Sequence, residues 1–357
     1  MVALIEMLGN PDRLVRIEAA ERLAVLGPAA KGAVTGLIAA LDDPDAHVRG
    51  AVAVALGRIG PDAKDAVAKL TELLEDATEL VRWTALFGLG EIGPAASLAV
   101  PSIIRRLHDE AENVQRAAIR VLGKIGPEVA TVAALVESLS DPRGYVVWAA
   151  AMALGEMGEA AVLPLKEGLK DSRQFVRWAC ATALGEIGPS AVAAVPALTA
   201  ALSEPEEAER MSEVRPVAAE ALGRIGPAAA SAIPALVDTL RKSPIRMQFA
   251  VAEAVIGIGP EHAIPALIPL LAEEEVSFQA RYVLRQIGAA ALPQLITVLE
   301  SGCELARYHA CCTIREIDAI DSQAKKGAIP VLIRLMRDDN VGVRCEAERT
   351  LSAIEGR

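Results

Sequence analysis

Apolar residues recur along this chain in blocks with helical spacing, and the strong blocks close on the same short tag. In VRGAVAVALGRIG (48–60) the Val, Ala, Leu and Ile side chains fall three and four residues apart, the period of an amphipathic helix. The block ends in Gly60 followed by Pro61, a combination that stops a helix. Beyond the proline comes another apolar run, such as AVPALTAAL (194–202) or AIPALIPLL (263–271), closed by an Asp-rich turn such as DDPD (42–45). The pattern predicts paired helices: the one before the tag is the second helix of a repeat, and the one after the proline is the first helix of the next.

The tag reads LGRIGP at 56–61, LGEIGP at 89–94, LGKIGP at 122–127, LGEMGE at 154–159, LGEIGP at 184–189 and LGRIGP at 222–227. Its second glycine marks Gly27, Gly60, Gly93, Gly126, Gly158, Gly188, Gly226, Gly259 and Gly288, with Asp318 and Glu355 in degraded copies. These markers lie 29 to 38 residues apart and define eleven repeats over residues 1–357. A fixed period of this length is the signature of a stacked array, so the expectation is one all-α solenoid.

The consensus V-R-x-x-A-x-x-A-L-G-x-I-G-P followed by A-V-P-A-L resembles the short HEAT-like repeats first associated with phycobilisome lyases, and it recurs along essentially the whole chain. The resemblance implies a right-handed α-solenoid whose second helices line the concave side. It implies no single activity, because such repeats mostly serve as interaction scaffolds. It also implies an Asp–Arg ladder between repeats. Arg16, Arg49, Arg82, Arg177, Arg215, Arg307 and Arg344 stand one residue after the consensus Val, while Asn10, Asp43, Asp76, Asp109, Asp141, Asp171 and Asp338 stand five before it. The ladder lapses at Gln115, Val147, Gln248 and Ser277, for which the sequence supplies no reason.

Helical geometry divides each second helix into two sides without reference to any family. With the consensus Val as position 0 and about 100° per residue, positions 0, 4, 7, 8 and 11 share one arc and hold Val, Ala, Ala, Leu and Ile. That side is the expected core. Positions −1, +2, +6 and +10 lie opposite and should meet solvent. Trp83, Trp148, Trp178, Phe249, Phe278 and Tyr308 fall at +2, Phe87 and Tyr282 at +6, and Tyr145 and Phe175 at −1, which exhausts the ten aromatic residues. Met152 joins them at +6. An exposed apolar stripe of this kind marks an interaction surface, and aromatic side chains dominate interface hot spots.

Repeat 4 interrupts the rings with Arg116, Arg120 and Lys124 at +2, +6 and +10, a basic ridge suited to a carboxylate or phosphate on an otherwise apolar ligand. Elsewhere charge excludes more than it suggests. With 36 basic and 47 acidic residues the net charge is −11, which disfavours nucleic acid. No continuous apolar run of about 20 residues suggests a membrane span, and MVALIEMLGNPDRLVR lacks the basic leader of a signal peptide. Five cysteines without framework spacing point to a reducing cytoplasm.

Enzyme signatures fail. G-L-G-E-I-G at 88–93 matches a dinucleotide fingerprint only as a copy of the tag at a helix end. The four histidines form no HExxH motif and none of the His-Glu dyads of iron-binding HEAT hydroxylases. Cys303, His309, Cys311, Cys312 and Cys345 gather near the C-terminus without metal-ligand spacing. No catalytic residue, metal or cofactor is therefore expected. SEPEEAERMSE (203–213) reads as an acidic loop that bends the array or closes over a ligand, VALIEML (2–8) lacks a capping polar face, and IEGR (354–357) matches a protease recognition tetrapeptide. The expected function is a non-enzymatic scaffold taking a protein or peptide on its aromatic concave face, with a homodimer contact as a further use of that face. The family resemblance also implies an alternative, a bilin lyase or isomerase relative whose rings sandwich a tetrapyrrole and whose arginines hold its propionates.

Overall fold

The computed structural model describes residues 1–126, 129–203, 214–242, 245–317 and 325–355. The acidic loop expected at 203–213 lies, but for Ser203, outside the described residues, as do Asp318 and the last two residues of IEGR. The chain divides into an N-terminal unit, Met1–Gly168, and a C-terminal unit, Leu169–Arg357. Each is an all-α solenoid of stacked helix pairs, and no strand occurs among the described residues.

In the N-terminal unit the second helices are Arg13–Leu26, Ala46–Ile59, Glu79–Ile92, Glu112–Ile125 and Gly144–Glu156, and each packs side by side with the next. In the C-terminal unit Gln174–Ile187, Val214–Ile225, Ile245–Ile258, Ser277–Ile287, Glu304–Glu316 and Val341–Glu355 do the same. Shorter first helices, such as Val34–Ala40 and Ile233–Lys242, form the other layer. The layers close over the arc that helical spacing assigned to the core: Val48, Val81, Val114, Val176 and Val343 are buried at position 0, and Leu56, Leu89, Leu122 and Leu222 at +8.

The two tag glycines have different tasks. The second sits at positive φ in all nine repeats that carry it; Gly60, for example, has φ 77° and ψ −143°, a region in which a Cβ clashes with the backbone. This residue turns the chain out of the second helix. Sequence reading runs straight from the proline into the next helix, whereas the structure inserts a 3₁₀ segment, as at Gly60–Ala66, before the α-helix begins at Val67. The first tag glycine, which sequence reading left without a role, is a point of close approach between neighbouring second helices. A Cβ on Gly223 would lie 2.7 Å from Ala254 Cα, and one on Gly57 would lie 2.9 Å from Gly88 Cα.

Four stretches, Arg13–Ala40, Glu79–His108, Gln174–Ala201 and Ser277–Ser301, have the length and hydropathy to cross a membrane, which corrects the expectation drawn from apolar runs alone. Each is bent at a positive-φ glycine, Gly27, Gly93, Gly188 or Gly288, into two helices of different layers. No unbroken α-helix among the described residues exceeds the 15 residues of Val341–Glu355.

Successive turns are tied by arginine. Arg82 directs Nε and Nη2 to the two oxygens of Asp109, 27 residues on, at 2.9 and 2.8 Å, and Nη1 to the carbonyls of Asp76 and Ala77 in its own turn. Asp109 also accepts the Ala111 N–H, forming an Asx turn that starts the following helix. Arg16 with Asp43, Arg49 with Asp76, and Arg307 with Asp338 repeat the arrangement. In these four steps the expected ladder links an arginine to the aspartate of the next turn, while Arg177 and Arg344 reach the carbonyls of their own turns and Arg215 the Leu202 carbonyl. The planar guanidinium fork suits the task because donors on one edge reach the carboxylate while those on the other reach carbonyls.

Gly223→Val is expected to lower stability by about 1–3 kcal/mol through overpacking, read as a fall in the urea midpoint. Gly32→Ala, where a new Cβ meets nothing within 4 Å, serves as the control. An equal midpoint for both variants would show that the helices do not meet at Gly223.

Burial by itself would raise the Asp109 carboxyl, yet the Arg82 and Ala111 hydrogen bonds and the Arg82 and Arg106 charges hold it below the usual range. Asp338, also against its burial, is lowered through Arg307, and Asp141 and Asp171 chiefly through Arg143 and Arg173. Depressed folded-state values mean that this stability is complete above the unfolded value of about 4 and is lost as pH falls through the lower folded values. Asp109→Asn is expected to cost about 3–5 kcal/mol at pH 7 by stranding buried Arg82. It should also flatten part of the loss below about pH 4. An unchanged acid limb in urea titrations would remove Asp109 from that role.

Candidate partner surface

The aromatic residues stand where the helical wheel put them. None of the ten is buried; Phe249 and Phe278 are exposed at 53% and 70%, and the other eight are half-buried. The cause is steric: the second helices approach over glycine and alanine, leaving no interior volume for a ring. Many rings cover one another locally. Trp83 stacks on Phe87 one turn later at 6.2 Å, Phe175 tilts against Trp178 at 5.3 Å, and Phe249 meets the edge of Tyr282 in the next repeat at 5.6 Å. Tyr308 packs on His309, and Met152 is half-buried at its +6 position.

The basic ridge is less free than its sequence suggests. Arg116 pairs with Glu112 one turn back and lies 4.6 Å over the Tyr145 ring, while Lys124 reaches Glu91 of the preceding repeat at 2.7 Å. Arg120, exposed between them, has no hydrogen-bond or ion-pair partner among the described residues. The structure also adds a cation that sequence reading passed over. Arg58, at +10 of repeat 2, places its guanidinium 5.4 Å from the Phe87 ring centre, and Phe87 itself lies over Gly57, with ring carbons 3.1 and 3.2 Å from where a Cβ would stand. Its +10 position was the available signal.

Tyr145 has a structural part as well as a surface one. Its hydroxyl donates to Gln115 Oε1 at 3.1 Å, and its ring lies between Arg116 and Arg143. This network accounts for the first lapse in the ladder. Gln115 supplies the carbonyl contact of the missing arginine through its amide to Asp109 O, and Arg143, two residues after Asp141, binds both Asp141 and Gln115. Where Val147 replaces the next arginine, Asp171 is likewise held by Arg173 of its own turn. At Gln248 an amide pair with Gln279 takes the place of the ion pair. Ser277 instead bonds the Glu274 carbonyl.

Open grooves run beside these rings. One in the N-terminal unit is lined by Glu79, Leu80, Trp83 and Asn113, and Leu80 is 40% exposed. In the C-terminal unit one groove runs from Trp178 over Gly185 and Ala221 to Arg224, and another is floored by Gly223, Ala254 and Gly257. Burial pushes the Cys180 and Cys311 thiols up to about 12 and raises Cys312 as well, while Cys303 and Cys345 are exposed. Among the described residues no group of three or more His, Cys, Asp or Glu side chains has metal-holding geometry.

Profiles of HEAT repeats match residues 1–85, 67–147 and 132–214. No curated protein matches the sequence. Among solved structures, the karyopherin Kap121p bound to the extreme C-terminus of the protein phosphatase Cdc14p aligns with 98% of this chain and 45% of its own, at 14% identity and a TM-score of 0.55. Kap95p, in a structure with RanGDP, aligns with 99% of this chain and 53% of its own, at 14% identity and a TM-score of 0.50. An engineered protein aligns with 99% of this chain and 98% of its own, at 24% identity and a TM-score of 0.46. The chain thus spans about half the length of the karyopherins it matches, and the likeness is one of fold. With the profiles covering more than half of the sequence and the paired helices stacked as described, the chain belongs to the HEAT-repeat family.

Proposed function

We propose that this protein is a non-enzymatic interaction scaffold that takes a protein segment along the outer face of its second helices, the side expected to be concave. One observation carries the reading: every aromatic residue of the chain lies on that face and none is buried. A soluble array gains nothing in its core from rings placed there, whereas a partner that covers them gains both area and shape. Six rings burying about 100 Å² each contribute roughly 15 kcal/mol at ~25 cal/mol/Å², against an association cost of about 4–15 kcal/mol. The matched karyopherins, whose structures are of complexes with other proteins, lend the general reading support. The acidic balance and the free cysteines fit a partner other than nucleic acid, met in the cytoplasm.

Trp83→Ala, Trp148→Ala and Trp178→Ala together are expected to weaken partner capture at least ten-fold, since hot-spot truncations cost about 2 kcal/mol or more each, while the melting temperature holds. Binding that survives the triple substitution alongside a lowered melting temperature would assign the rings to surface tiling. Sedimentation of the wild type checks whether the partner is a second copy: a dimer lost in the triple variant would identify the face as homotypic.

A further inference from the structure

We propose that the N-terminal unit recognises an acidic segment, with a bulky apolar side chain set on the Trp83–Phe87 pair and carboxylates on either side of it meeting Arg58 and Arg120. The proposal rests on the partner-surface reading and names the chemistry of the partner. Its basis is the accounting of charge around one pair of rings. Phe87 is held between repeats, stacked on Trp83, seated over Gly57 and approached by Arg58. Carboxylates around the pair are already engaged: Glu91 by Lys124, Glu112 by Arg116 and Glu79 by the Asn113 amide. Arg58 in repeat 2 and Arg120 in repeat 4 are exposed and have no carboxylate partner among the described residues.

On a chain of net charge −11, two uncompensated guanidinium groups flanking a stacked pair form a local field opposite to that of the whole molecule. Its complement is negative and apolar together. Arginine binds carboxylates through its planar fork and remains charged at any working pH, so the contact is electrostatic and directional. Repeats 2 and 4 are two helix spacings apart, about 16–20 Å at ~8–10 Å each. An extended chain covers that distance in about five or six residues. The segment is therefore two acidic residues about six apart with a large apolar residue midway.

The probe is the peptide acetyl-Ser-Glu-Ser-Gly-Leu-Gly-Ser-Glu-Ser-amide, titrated calorimetrically into the full chain. It is expected to bind, to weaken as salt rises from 50 to about 300 mM as surface charge is screened, and to lose at least ten-fold in affinity against Arg58→Gln/Arg120→Gln. Arg334→Gln, on the first helix Ile329–Leu335 of the C-terminal unit and paired with Glu300, should stay within about two-fold of wild type. No measurable binding at millimolar peptide overturns the proposal, as does equal affinity for the double variant. Tighter binding of an oligothymidylate than of the peptide also overturns it, by assigning the cations to phosphate. Loss of peptide binding in Trp83→Ala with wild-type affinity in the double variant overturns the acidic recognition and leaves the ring surface standing.

Discussion

Close approach of successive second helices is the constraint from which the other features follow. Where Gly57 faces Gly88 and Gly223 faces Ala254, backbone meets backbone with no room for even a methyl group. Packing at that distance needs small side chains along the shared seam, as Gly123 against Ala153 and Gly185 against Ala221 show again. An interior assembled from Ala, Val, Leu and Ile has no site for an indole or phenol. Ring side chains are thereby confined to the opposite side of the second helix, where they meet solvent or a partner. The small-residue core and the aromatic surface are two results of one spacing.

The Arg–Asp ladder works on top of that spacing. Arg16, Arg49, Arg82 and Arg307 each join their own turn to the start of the next helix pair, so these turns are spaced by a hydrogen-bonded fork while helices are spaced by small residues. Its exceptions show that the turn aspartate, more than the arginine position, is what must be satisfied. When Gln115 stands in the arginine position, Arg143 approaches Asp141 from the other side, and the same exchange puts Arg173 on Asp171. An aspartate buried in a turn keeps its charge only with such a partner. The substitution also carries a surface consequence, because Tyr145 is drawn into the network by its hydroxyl and offers its ring face to Arg116.

Charge on the second-helix face follows local pairing. A ridge of Arg116, Arg120 and Lys124 reads as three cations in one dimension, yet Glu112 and Glu91 answer two of them across a helical turn and across a repeat. Arg58, which belongs to another repeat and to no ridge, joins the same neighbourhood by stacking on Phe87. Contacts between repeats, about 33 residues apart in sequence, decide which charges remain available.

Periodicity by itself determined the helix pairs, the inward and outward sides of the second helices and the positions of the ten rings along them, because these depend only on turns of one helix and on a period repeated many times. The purpose of the first tag glycine, the 3₁₀ entry at Gly60–Ala66 and the repair of the ladder at Gln115 were settled by tertiary structure. So was the separation of Arg120 from its neutralised neighbours Arg116 and Lys124. Each of these depends on which atoms of adjacent repeats come within a few ångströms, and a one-dimensional pattern carries direction around a helix but not distance between helices.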